Sequence, residues 1–141
     1  MPDPMMNQIP DELQKAKMFH SHLGPYLVVG LKMGQEVVRR WGGKPFSMTI
    51  EVFTGPHPPL SCVVDGLQLS TPCTVGNGQI RIREGGRVAI RARRDEQQLE
   101  YSLKPGIWER IRAAEGTDRL EALALELWDL EPIELLNESG S

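Results

Sequence analysis

Residues 79–103 read QIRIREGGRVAIRARRDEQQLEYSL. Ile80 and Ile82 alternate with Arg81 and Arg83, and Val88, Ile90 and Ala92 alternate with Ala89, Arg91 and Arg93. A period of two puts all the apolar side chains on one face of an extended chain. Glu84-Gly85-Gly86 joins the first two segments, a turn at Asp95-Glu96 follows, and QLEYSL adds a third strand. The stretch predicts an antiparallel meander. If its first two strands pair as a hairpin, Arg81, Arg83, Arg91 and Arg93 share one face. Like charges opposite each other destabilise a sheet. An acidic cover is therefore expected: Glu51, Glu100 or the acidic C-terminal region. An anionic ligand is the functional alternative.

Upstream, Phe46, Met48, Ile50 and Val52 alternate with Ser47, Thr49 and Glu51, which predicts a further strand. Asp11, with Gln14 three residues on, is placed to cap a first helix that stops at FHSHLGP. A second helix covers Tyr26 to Trp41. Gly30 and Gly34 share one of its faces, and each costs about 1 kcal/mol against alanine. That spacing points to a close neighbour, either another helix or a ligand. After the proline-rich GPHPP, Ser61 to Ser70 reads as a short helix weakened by Gly66. Downstream of Pro105-Gly106, helices are expected over Ile107–Ala114 and Asp118–Trp128, with Asp118 and Glu121 as a capping box. The order of elements gives an α+β fold, an antiparallel sheet of about four strands packed against helices. The expected organisation is a flexible segment over 1–10, a single core domain over 11–136 and a frayed tail over 137–141.

The 141 residues suit one domain with its own core. Two cysteines make a poor disulfide framework and fit a reducing cytoplasm. The N-terminus MPDPMMNQIP lacks the pattern of a secretion signal. The longest apolar stretch, Tyr26 to Leu31, is far short of the roughly 20 residues of a membrane span. The net charge of −3, and arginines without interleaved aromatics, argue against a nucleic-acid partner. Charge is unevenly placed: Arg81, Arg83, Arg87, Arg91, Arg93 and Arg94 crowd the middle, and acidic residues dominate Glu115 to Glu138. The two regions could face each other within a subunit or across an interface.

Both cysteines fall in CVVDGLQLSTPCTVGNG, Cys62 to Gly78. His20 and His22 stand two apart in FHSHLGP. Extended backbone would send both imidazoles to one side and helical backbone would spread them. Neutral imidazoles and thiolates are good zinc ligands, and tetrahedral sites take three or four donors. His20, His22, His57, Cys62 and Cys73 are the available pool, although none has the C-x2-C spacing of a strong zinc motif. Taken singly, such a cysteine is a small buried hydrophobe and such a histidine a helix terminus. Their shared position at breaks in regular structure favours a site. Cys73 is also the candidate nucleophile, because the glycine-rich turn after it offers backbone amides to an anion and a histidine could activate its thiol. The alternative for Gly76-Asn77-Gly78 is a plain turn.

FHSHLGPYLVVGLKMG followed by PPLSCVVDGLQLSTPCTVGNG resembles the core domain of the family of the E-type subunit of formylmethanofuran dehydrogenase. That family shows a His-Gly-His-x-Cys-Pro-Gly-like motif opening a helix, then Cys-x-x-Asp-x-Ile-Gln leading into Thr-Gly-Cys-Thr and a glycine-containing turn. The matching positions are His20, His22 and Pro25, then Cys62, Asp65, Gln68, Cys73, Thr74 and Gly76. The resemblance runs from about Leu13 to Trp128. It implies an α+β core that forms an intertwined homodimer, with a metal-associated cleft lined by these histidines and cysteines. Gly24 stands where many members have the first-motif cysteine, and Ser21 and Pro72 stand where glycine is frequent. The sequence has no cysteine after Cys73, so a core-only member, without the extra cysteine-rich zinc domain of some relatives, is expected. Molybdenum or tungsten would sit in another subunit.

The expected function is a metal-binding accessory or small-molecule-binding subunit, cytoplasmic, homodimeric and available to a larger redox enzyme complex. His20, His22, Cys62 and Cys73 are the expected ligands of a divalent transition metal such as zinc. Asp65, Gln68, Thr74 and Asn77 are the expected pocket or supporting residues. The alternatives are a small metal- or thiol-dependent enzyme using Cys73 and a scaffolding dimer without a ligand.

Overall fold

The computed structural model describes residues 9–140. The elements are α1 (Asp11–His20), α2 (Pro25–Trp41), β1 (Thr49–Val52), α3 (Cys62–Ser70), β2 (Ile80–Ile82), β3 (Ala89–Arg94), β4 (Gln97–Leu103), α4 (Pro105–Ala114), α5 (Leu120–Asp129), α6 (Pro132–Leu135) and β5 (Leu136–Gly140). The α+β class holds. Eight of the ten residues of the expected N-terminal segment lie outside the described residues, and Ile9 is buried.

The sheet corrects the expected antiparallel four strands. It has five, in the order β2-β1-β3-β4-β5, and it is mixed. β1 runs parallel to β2 and antiparallel to β3, so it separates the two strands expected to form a hairpin. The route from β1 to β2 passes through α3, and such a crossover lets two strands run parallel. Charge explains the choice. Glu51 sits opposite Arg81 on one side and Arg91 on the other, and Glu100 follows Arg91 in the next strand. Signs alternate across the exposed face. Glu51 reaches Arg83 at 3.1 Å, Arg93 at 3.7 Å and Arg91 at 3.9 Å. The acidic cover is therefore a strand neighbour, and no anion is needed to explain the arginines.

The C-terminal tail, expected to fray over 137–141, instead pairs with β4 over residues 136–140, in the register Leu103↔Leu136 to Leu99↔Gly140. LNESG has little strand propensity. Buried Leu135 and Leu136 fix the entry to the edge, and pairing outweighs propensity there. The expected caps also shift. Asp11 is the first helical residue rather than the cap, and α5 begins two residues after Asp118.

The other face of the sheet, including Ile50, Val52, Ile80, Ile90, Ala92, Leu99 and Tyr101, forms one core with the helices. The central helix is α2, which packs on α3 and α5. Pro25 occupies its first turn, where a missing N–H costs nothing. The α2–α3 crossing explains the glycines. A Cβ on Gly30 would lie 2.2 Å from the Val63 carbonyl oxygen, and one on Gly66 would lie 2.3 Å from that of Leu27. Two backbones meet there without side chains between them. The neighbour implied by Gly30 is a helix, and Gly66 is its counterpart on α3. This close crossing brings Cys62, the first residue of α3, beside the start of α2.

Candidate metal centre

Three segments converge on one point. α1 ends at His20, and Ser21 has a left-handed φ of 73°. The chain therefore bends between the two histidines, neither continuing the helix nor simply extending. Their ring centroids come within 4.4 Å. Cys62 enters from α3. One ligand atom each from His20, His22 and Cys62 lies within 4.8 Å of the others, so the three could hold a metal ion. His22 is exposed and the other two are half-buried, so the cluster opens to solvent on the His22 side.

The surrounding hydrogen bonds fit a ligand role for His20. Its Nδ1 lies 2.5 Å from Asp65 Oδ2. An ionised carboxylate only accepts, so the ring proton belongs on Nδ1. Nε2 is left as a bare lone pair, and that atom is buried with no hydrogen-bond partner. Buried polar atoms without partners are rare, and an imidazole oriented by a carboxylate is a common metal ligand. The donor set itself, two imidazoles and a thiol, has the chemistry of a zinc-type site.

Asp65 is in turn held by Gln68, whose Nε2 donates to Asp65 Oδ1 at 3.3 Å. Gln68 Oε1 accepts from the Val75 amide at 2.9 Å, which ties the support to the turn beyond Cys73. Thr74 and Asn77 serve that turn. Asn77 Oδ1 accepts from the Thr74 amide at 3.0 Å, and Thr74 Oγ1 accepts from the Asn77 amide at 2.9 Å. Both polar groups are spent on local backbone.

Cys73 does not join the cluster. It is buried in the core, and its thiol faces the Met48 carbonyl oxygen at 3.6 Å. Burial pushes its thiol pKa up, with a hydrogen bond involving Thr71 acting the other way. Cys62 is also pushed up, first by burial and then by the negative charge of Asp65. Neither thiol has the depressed pKa of a reactive nucleophile. His57 is exposed in the proline-rich loop and is not grouped with the other donors.

Two clefts flank the cluster and share Cys62. One is lined by His20, Asp65 and Pro58 among others, and the second by His22, Gly24 and Leu120 among others. Tyr26 and Glu115 also line the second. Tyr26 donates to Glu115 Oε1 at 2.9 Å and accepts from Trp108 Nε1 at 3.1 Å. Sequence reasoning missed these two. Tyr26 had a signal, since it follows the histidine motif directly. Glu115, 89 positions further on, had none.

A helical layer that gathers two histidines and a cysteine around one point, over a mixed sheet, defines an α+β domain with a candidate metal-binding group. The chain belongs to the family described as FmdE, molybdenum formylmethanofuran dehydrogenase operon, which matches residues 19–135. A crystal structure of a tungsten formylmethanofuran dehydrogenase FmdE-like protein from Syntrophus aciditrophicus shares the fold, with a TM-score of 0.67 and 22% identity. That match covers 92% of this chain and 69% of the other. A probable S-adenosyl-L-methionine-binding protein from Archaeoglobus fulgidus is 29% identical over 80 residues. Those residues are 55% of this chain and 22% of the relative, so the likeness concerns a fraction of that protein. Among the described residues no helix is long and apolar enough to cross a membrane.

Proposed function

We propose that this chain is a metal-binding core domain that serves as an accessory or small-molecule-binding subunit. His20, His22 and Cys62 hold a divalent transition metal, with zinc the best match to the donor set. Asp65 fixes the His20 ring, and Gln68 fixes Asp65. When bound, the metal supplies Lewis acidity beside an open cleft. The observation that carries this reading is His20 Nε2, buried without a partner and grouped with two further donors. The raised thiols count against nucleophilic catalysis by Cys73.

The working unit is a homodimer that can join a larger redox enzyme complex. Met18 and Phe19 support a second copy. They are 80% and 57% exposed immediately before His20, where an interface would cover them and border the cluster. The family's link to a dehydrogenase operon supports the larger complex.

The test is elemental analysis of untagged protein purified without chelators. Near-stoichiometric zinc, iron or nickel, lost in His20→Ala and Cys62→Ser but kept in Cys73→Ser, is expected. Metal-free wild-type protein that also fails to take up added zinc overturns the reading. Light scattering in the same preparations reads the dimer.

A further inference from the structure

Gly24 has no backbone reason to be glycine. Its φ of −123° and ψ of 162° are extended values open to any residue. It has no packing reason either. A Cβ built there would meet only His22 Nε2 and Cδ2, both at 3.4 Å, which is ordinary contact. This contrasts with Gly30 and Gly66, where a Cβ would collide with backbone. The missing side chain therefore leaves space directly beside the ring of His22, a residue of the cluster. That space is part of a cavity of about 100 Å³ lined by His22, Gly24, Cys62 and the apolar Leu23, Leu27 and Leu120.

We propose that Gly24 keeps one ligand position open between His22 and Cys62, and that a small thiol enters it from this cavity. The inference rests on the metal-binding reading above and deepens it. Three protein donors leave a fourth place in a tetrahedral set. Softness selects the entering atom, since a metal already held by imidazole and thiolate favours sulfur. Size sets the limit. At about 100 Å³ the cavity is smaller than the roughly 150 Å³ that takes a benzene ring, so it suits a short alkyl thiol rather than an aromatic one. The thiol binds as thiolate and its proton leaves to solvent.

The experiment uses Co²⁺ as a spectroscopic probe on the full chain. Wild-type protein loaded with Co²⁺ carries one sulfur-to-metal absorption, from Cys62. Added ethanethiol is expected to roughly double it as a second thiolate binds. Benzyl mercaptan and acetate are expected to leave it unchanged. Gly24→Cys is expected to show the doubled absorption without added thiol and no response to ethanethiol. A Co²⁺-loaded wild type that ignores ethanethiol, or that responds equally to benzyl mercaptan or acetate, overturns this proposal and leaves the metal centre standing. Failure of the wild type to bind Co²⁺ or Zn²⁺ overturns both. The wild-type titration decides the matter even if Gly24→Cys does not fold.

Discussion

His20 Nδ1 and Asp65 Oδ2 stand 2.5 Å apart, joining the last residue of α1 to the first turn of α3. Cys62 and Asp65 are three apart on that helix and so lie on one face. One turn of α3 thus offers a thiol to the cluster and a carboxylate to the histidine beside it. Asp65→Asn removes the charge and weakens the preference for a proton on Nδ1. Zinc affinity should fall by about 10- to 100-fold, as when such an outer partner of a ligating histidine is lost. Competition against a chromophoric chelator measures it. Unchanged affinity would show that the pair only ties α1 to α3.

The two cysteines should separate cleanly. Cys73→Ala leaves the metal centre untouched, because Cys73 packs in the core rather than in the cluster. It should cost about 1–2 kcal/mol in urea unfolding, through lost packing and a small cavity. Cys62→Ala should lose the metal instead. Alkylation of Cys73 in the wild type at neutral pH should be slow, since burial raises its thiol pKa. Rapid labelling of Cys73 in folded protein would show that the core opens there.

Several residues were legible in the sequence for physical reasons. His20, His22, Cys62 and Asp65 lie in two short motifs, and each motif sits at a helix end. The strands β3 and β4 followed from period-two alternation. The parallel pairing of β1 and β2 was not legible, because alternation fixes which face a side chain takes and not which strand lies beside it. The arginines held a clue: four like charges on one hairpin face required an acid, and Glu51 supplies it from between the strands. The edge strand β5 was hidden by a polar sequence whose order comes from its partner. The separation of Cys73 from Cys62 is a tertiary fact, since nearness along the chain says little about direction after a helix ends.

The α2–α3 crossing should tolerate no added methyl. Gly66→Ala places a Cβ 2.3 Å from the Leu27 oxygen and 2.5 Å from the Leu31 nitrogen, both backbone atoms that cannot swing aside. Overpacking of this kind costs roughly 3 kcal/mol. Because the crossing also aligns Cys62 with His22, Gly66→Ala should lose zinc affinity in the fraction that folds. Gly76→Ala is the control, since its Cβ would come no closer than 3.8 Å to Thr74 Oγ1. Denaturant unfolding of both variants checks the contrast.

Glu51→Gln should test the charge ladder. It leaves Arg83, Arg91 and Arg93 facing one another without their shared carboxylate. Exposed pairs are worth about 0–1 kcal/mol each, so a loss near 1–2 kcal/mol is expected at low salt. Screening should shrink the deficit at high salt. A deficit that ignores salt would mean that the carboxylate acts through packing.

Tyr26 and Tyr101 should contribute to the loss of stability at alkaline pH. Burial pushes each phenol up to about 12, with hydrogen-bonded Glu115 and Glu138, respectively, adding to the rise. In the unfolded chain both titrate near the ordinary phenol value of 10.0. Between pH 10 and 12 the unfolded state therefore binds fewer protons than the folded state, and stability falls as pH rises. The contribution is complete below pH 10 and is lost on the way to about 12. Each tyrosine adds a slope of up to about 1.4 kcal/mol per pH unit in that window. Urea unfolding across it should give a flatter dependence for Tyr26→Phe and for Tyr101→Phe, even though each variant starts less stable for want of its hydrogen bonds. Tyrosinate absorbance of the folded protein gives an independent reading, with the two buried phenols titrating later than in unfolded chain. Slopes in both variants equal to the wild type would assign the alkaline loss to other groups.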